Sequence, residues 1–164
     1  MADSKNVFIP RSIAATNIDS LVKTGVSEIP LRNGDIVAIG QKDKGVYKLS
    51  APTSDTTRFG IVYNADVVNE NGRRGLGDDP RDIKFSAGTI VNFFIPNRED
   101  EISVTEVSGT AEGAKYIAPM TDEVGYTYSN TIPDTGLVFE ITDNKFISIG
   151  NERVPTVEAV CVKA

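Results

Sequence analysis

The sequence predicts a mainly β protein: an antiparallel β-sandwich or a small, partly open β-barrel, with an extended N-terminal arm. Apolar residues either alternate with polar ones or form short unbroken runs, the patterns of half-buried and fully buried strands. Clusters of Gly, Asp, Asn, Ser and Pro bound those runs and supply turn chemistry. Helical periodicity is weak along the whole chain, while β-branched residues are frequent.

In order, residues 1–25 show neither a clean helical nor a clean strand period and read as an arm. Pro10 removes a backbone donor and holds Ile9 extended, so Val7 to Ile9 forms a short extended segment and Ser12 to Val22 a brief helix or irregular stretch. The arm's apolar residues (Val7, Phe8, Ile9, Ile13, Ile18, Leu21) must be covered by its own domain or by a neighbouring molecule. Residues 26–164 read as one β-domain. Leu31 to Val68 predicts a three-strand meander: Ile36, Val37, Ile39, then Val46, Tyr47, Leu49, then Phe59, Ile61, Val62, Tyr63. Asn33-Gly34-Asp35 and Lys44-Gly45 are its turns, because Gly takes positive φ without steric cost.

The stretch NENGRRGLGDDPRD after Val68 is polar and Gly-rich and predicts a long exposed loop. Ile90 to Ile95 forms the next apolar run. Glu101 to Val107 alternates and is expected to pair with it through the turn Asn97 to Asp100. AKYIAP and GYTYSN are short segments carrying Tyr116, Tyr126 and Tyr128. GLVFEIT, a tight turn at Asp143-Asn144, KFISIG and the closing strand VPTVEAVCVKA complete the chain. A faint echo of Asn33-Gly34-Asp35-Ile36-Val37 returns at Ala87-Gly88-Thr89-Ile90-Val91 and at Thr135-Gly136-Leu137-Val138, as hairpins with glycine turns tend to produce.

At 164 residues the chain suffices for one core plus an ordered arm. The formal net charge of -6 argues against an open basic face for nucleic acid. No window approaches the ~20 apolar residues of a membrane span, and the N-terminus lacks a signal-peptide pattern, so a soluble chain is expected. The single Cys161 rules out an internal disulfide, fits a reduced cytosolic origin and sits in an apolar run, where a small buried thiol is the simplest role.

Histidine is absent. That removes the usual general base and the Ser/His/Asp and Cys/His arrangements. GRRGLG lacks the lysine and the strand–loop–helix context of a phosphate loop. The carboxylates Asp78, Asp79 and Asp82, and Glu99-Asp100-Glu101, match no defined calcium loop; around Asn69 to Gly72, Val67 stands where the first aspartate of such a loop belongs. Solvated turns are the expected role of both clusters, with no metal, no cofactor and no enzymatic activity. Tyr126 and Tyr128, two apart on a strand, face one side: either cross-strand packing or a planar sugar-binding face.

The order GDIVAIG, GVYKLSAP, RFGIVYNADV, AGTIVNFFIP, EISVT and VEAVCVKA resembles the head decoration (capsid cement) proteins of tailed bacteriophages, over most of residues 25 to 164. The resemblance implies a virion structural protein, made in the host cytoplasm, that binds the outer surface of a phage capsid. There it bridges major capsid proteins and stabilises the shell through many copies and an edge-pairing arm. For the oligomeric state the resemblance leaves two forms open, a homotrimer where such proteins sit on three-fold positions and a monomer at hexamer centres. On that basis Val7, Phe8, Ile9 and Arg11 are the expected capsid contacts of the arm, and the loop with Arg73, Arg74, Asp78 and Asp79 a second surface. A fibre or base-plate type module recognising carbohydrate or protein is the alternative. Neither nucleic acid nor membrane is an expected partner.

Overall fold

The computed structural model describes residues 8–12, 22–64 and 84–164. Among the described residues every regular element is a strand. In chain order these are β1 (Phe8–Ser12), β2 (Val22–Ser27), β3 (Ile36–Asp43), β4 (Val46–Ser50), β5 (Phe59–Val62), β6 (Ile90–Phe94), β7 (Glu101–Val104), β8 (Tyr116–Pro119), β9 (Tyr126–Ser129), β10 (Val138–Ile149) and β11 (Glu152–Lys163). They form two sheets. One closes into a barrel in the order β2-β4-β3-β5-β6; the other is an open sheet in the order β1-β7-β11-β10-β8-β9.

The expected mainly β architecture is therefore what the chain adopts, with sandwich and barrel features combined. The unbroken apolar runs explain how. Side chains alternate across a strand, so a strand buried on both faces serves two cores at once. Val37, Ile39, Val62, Val91 and Phe93 point into the barrel with Leu31 and Leu49. Their neighbours Ile36, Phe59, Ile61 and Phe94 point outward and meet Ile102, Val104, Ile117, Tyr126, Leu137, Phe139, Val157, Ala159 and Cys161 of the open sheet. This second cluster welds barrel to sheet. A Cβ on Gly60 would lie 2.7 Å from the Phe93 ring and one on Gly25 2.5 Å from Leu49, so both glycines give barrel side chains their room.

Several expected neighbours are corrected. The β3–β4 hairpin closes on Lys44-Gly45, both at positive φ (51 and 86°), as expected. β5, however, lies on the far side of β3 rather than beside β4, so Leu31 to Val68 is not a meander. β4's free edge instead takes β2 in parallel. β7 does not pair with β6: β6 returns to β2, and the turn at Asn97 to Asp100 carries the chain across to the open sheet, where β7 pairs with β11 and β1.

Asp143-Asn144 is no turn. β10 runs straight through it, with Asp143 opposite Glu158 and Asn144 opposite Val157; the register shift between Ile141 and Asp143 makes Thr142, just before the pair, the extra residue of a bulge. The reversal comes at Gly150-Asn151, with Gly150 at φ 58°. The arm boundary drawn at Gly25 falls inside β2, a barrel strand. Ser12 to Val22, read as a helix or irregular stretch, lies for the most part outside the described residues.

Candidate functional site

Of the arm residues, Phe8, Ile9 and Arg11 lie on β1, while Val7 is outside the described residues. β1 adds to the outer edge of β7 in its own chain, with Phe8 opposite Val104, Ile9 opposite Ser103 and Pro10 opposite Ile102. Register slips between Pro10 and Ser12, which makes Arg11 the extra residue. Proline lacks a donor and a bulge interrupts the ladder, so this strand is suited to an edge. Arg73, Arg74, Asp78 and Asp79 all lie outside the described residues, as does Asp82.

The second acidic group, Glu99-Asp100-Glu101, is a turn into β7 in which Glu99 and Glu101 are exposed, as expected, and Asp100 is not. The Asp100 carboxylate accepts the Asn97 backbone N–H at 2.7 Å, Asp100 is buried, and its carbonyl accepts the Cys161 N–H. It closes its own turn at the entry to β7. Among the described residues no group of three or more acidic or cysteine side chains could hold a metal ion. Cys161 is buried in the shared core, and burial pushes its thiol up to about 11, so it packs as a hydrophobe.

Tyr126 is 1% exposed. Its hydroxyl donates to the Gly34 carbonyl at 2.7 Å, so it joins β9 to the barrel and offers no ring to a sugar. Tyr128 packs partly buried against the same core.

That hydrogen bond borders a feature not read from the sequence. Asp35 is only 6% exposed, at the rim of a cleft of about 250 Å³ between barrel and sheet that Arg32, Glu106, Met120 and Tyr126 also line. Its Oδ2 accepts the Arg32 N–H at 2.7 Å. The surrounding loop is held on one side by Gly34 and Val62, whose N–H groups donate to the Val62 and Asp35 carbonyls, and on the other by Ile36, which donates to Val124. Burial raises the Asp35 carboxyl to about 7, against the lowering influence of the Arg32 N–H and guanidinium and with a further rise from Glu106. This carboxyl can therefore take up or release a proton near neutrality at the joint between the two sheets. Its turn was legible as Asn-Gly-Asp. Its burial was not, because the covering residues Met120 to Tyr126 are distant in sequence.

A third feature is the projecting end of the β10–β11 hairpin. β8 pairs with β10 only at Phe139 and Glu140, and β7 with β11 only from Val157 to Val160. The ladder between β10 and β11 nevertheless continues to Ile149 opposite Glu152. Its far end carries Phe146, 55% exposed, with the Arg153 guanidinium 4.5 Å from the ring centre, and a Lys145–Glu158 ion pair across the strands.

Comparison of the chain with protein-family models, with curated proteins and with solved structures finds no match.

Proposed function

We propose that this chain is a structural protein of a tailed-phage virion that binds the outer surface of the capsid and stabilises it by bridging major capsid proteins. The observation that carries this reading is β1. A short arm strand ahead of the barrel attaches to a sheet as its edge strand, through backbone pairing to β7. Edge addition depends on the main chain, so the same segment is chemically able to lay itself on a neighbouring protein's sheet. A body welded from a barrel and a sheet by one shared core suits a part that bears load, and many weak copies on a lattice add up through effective concentration. The role requires no reaction, and we assign none. The carbohydrate-binding alternative loses its ring pair, because Tyr126 is interior.

The test is to mix purified protein with expanded phage heads that lack decoration and to image them by electron cryo-microscopy. Ordered density on the outer surface is expected for the full chain, and bare shells for a variant lacking residues 1–12 that retains its circular-dichroism spectrum. Bare shells with the full chain, or equal decoration by the truncated one, would overturn the reading.

A further inference from the structure

We propose that the projecting edge of β10, from Asn144 to Ser148, is a self-association site at which two copies of this chain join antiparallel into one continuous sheet.

The direction of every main-chain group on this ribbon follows from Pro155. The Cys161 N–H and carbonyl bond to Asp100 and Glu99 on the β7 side. Alternation along a regular strand then points Ala159, Val157 and Pro155 the same way. Pro155, having no N–H, loses nothing there. Phe146 stands opposite Pro155, so this is a non-hydrogen-bonded pair and the Phe146 N–H and carbonyl face outward, away from β11. By the same alternation those of Asn144 and Ser148 face outward too. Among the described residues no strand and no other backbone group takes them.

The ribbon's two edges are thus unequal. The β11 side is guarded by a proline, a common protection against pairing. The β10 side has no proline, and its one lysine, Lys145, is turned to Glu158 across the ladder. An open edge of alternating N–H and C=O groups is matched by one kind of object, an extended backbone.

The side chains favour a second copy as that backbone. A two-fold axis at Phe146 sets Asn144 against Ser148 of the second copy, Lys145 against Ile147 and Asp143 against Ile149. No like charges meet. The two Phe146 rings become cross-strand neighbours, each already flanked by its Arg153. At the root, an open notch of about 450 Å³ between Lys115 and Asp143 lies where the Gly150-Asn151 turn of the second copy arrives, and no atom lies within 4 Å of where a Gly150 Cβ would stand. Because the other edge is blocked, the assembly closes at two copies and does not grow into a fibre. This two-fold pair differs from both the trimer and the monomer that the resemblance left open, and it does not depend on capsid binding.

Sedimentation equilibrium of the isolated full chain tests it. A dimer is expected, with Ser148→Pro raising its dissociation constant at least ~10-fold, since it removes an outward donor from each copy while sparing the β10–β11 ladder. An unchanged thermal midpoint shows that the variant is folded. As a second measurement that needs no loss of stability, Phe146→Cys should form an interchain disulfide under mild oxidation, whereas Asn151→Cys should not; the native Cys161 is buried. A monomer at tens of micromolar that fails to cross-link through position 146 overturns the proposal. So does a dimer indifferent to Ser148→Pro, or an open-ended polymer.

Discussion

Asp35 shows how one residue can set a pH dependence for the whole chain. Its carboxyl titrates at about 7 when folded and near 3.8 when exposed, so between those values the folded state holds a proton that the unfolded state has released. Stability from this group is therefore fully present below about pH 4, falls as pH rises, and is gone above about pH 7. Asp35→Asn keeps an oxygen for the Arg32 N–H and removes the charge. In urea titrations the variant should be more stable than the parent at pH 8, by on the order of 4 kcal/mol, and nearly equal to it at pH 4. A difference that stays constant across that range would show that burial does not raise this carboxyl. Beside it, Tyr126→Phe leaves the Gly34 carbonyl without its buried donor and should cost about 1–2 kcal/mol at any pH below the tyrosine range.

Among the elements, most strands were legible and their neighbours were not; β2, read into the arm, is the exception. Ile36-Val37, Ile61-Val62 and Phe93-Phe94 each read as strand from local pattern, because a run buried on both faces needs no partner to be recognised. Which strand lies beside β3, or where β7 goes after Asp100, is decided by barrel closure and by the shared core, and neither leaves a mark within a few residues. The site fared similarly: Val7 to Ile9 was readable as extended through Pro10, although the strand runs on to Ser12, whereas the projecting ribbon stayed hidden because Asp143-Asn144 has turn composition and yet pairs in register with Glu158 and Val157. This yields a contrast that thermal unfolding can check. Gly150→Ala puts a side chain at φ 58° and should cost about 1 kcal/mol, while Asn144→Ala should stay within ~0.5 kcal/mol. The opposite order would place the hairpin's reversal at Asp143-Asn144. In the barrel, Gly60→Ala drives a methyl into the Phe93 ring and should cost about 1–3 kcal/mol.

For the molecule as a whole, the question is whether the barrel and the open sheet behave as one unit or two. Each has its own hydrogen-bonded ladder, but only the barrel has a core that it could keep alone. The open sheet's buried face, with Ile102, Val104, Ile117, Phe139 and Val157, packs on Ile36, Phe59, Ile61 and Phe94 of the barrel. Separation would therefore return both apolar faces to water, at roughly 25 cal/mol per Å², and would strip Tyr126 of its partner on Gly34. The two halves should unfold together. Ile61→Ala, in the barrel, and Phe139→Ala, in the sheet, are each expected to cost about 2–5 kcal/mol, and each should move a single transition. The far-ultraviolet signal of all strands and the near-ultraviolet signal of the tyrosines, Tyr47 in the barrel and Tyr126 in the sheet, should stay coincident in both variants. Two separated transitions, with Phe139→Ala shifting only one of them, would mean that the shared cluster does not couple the halves. The load-bearing role proposed for this body would then lose its physical basis.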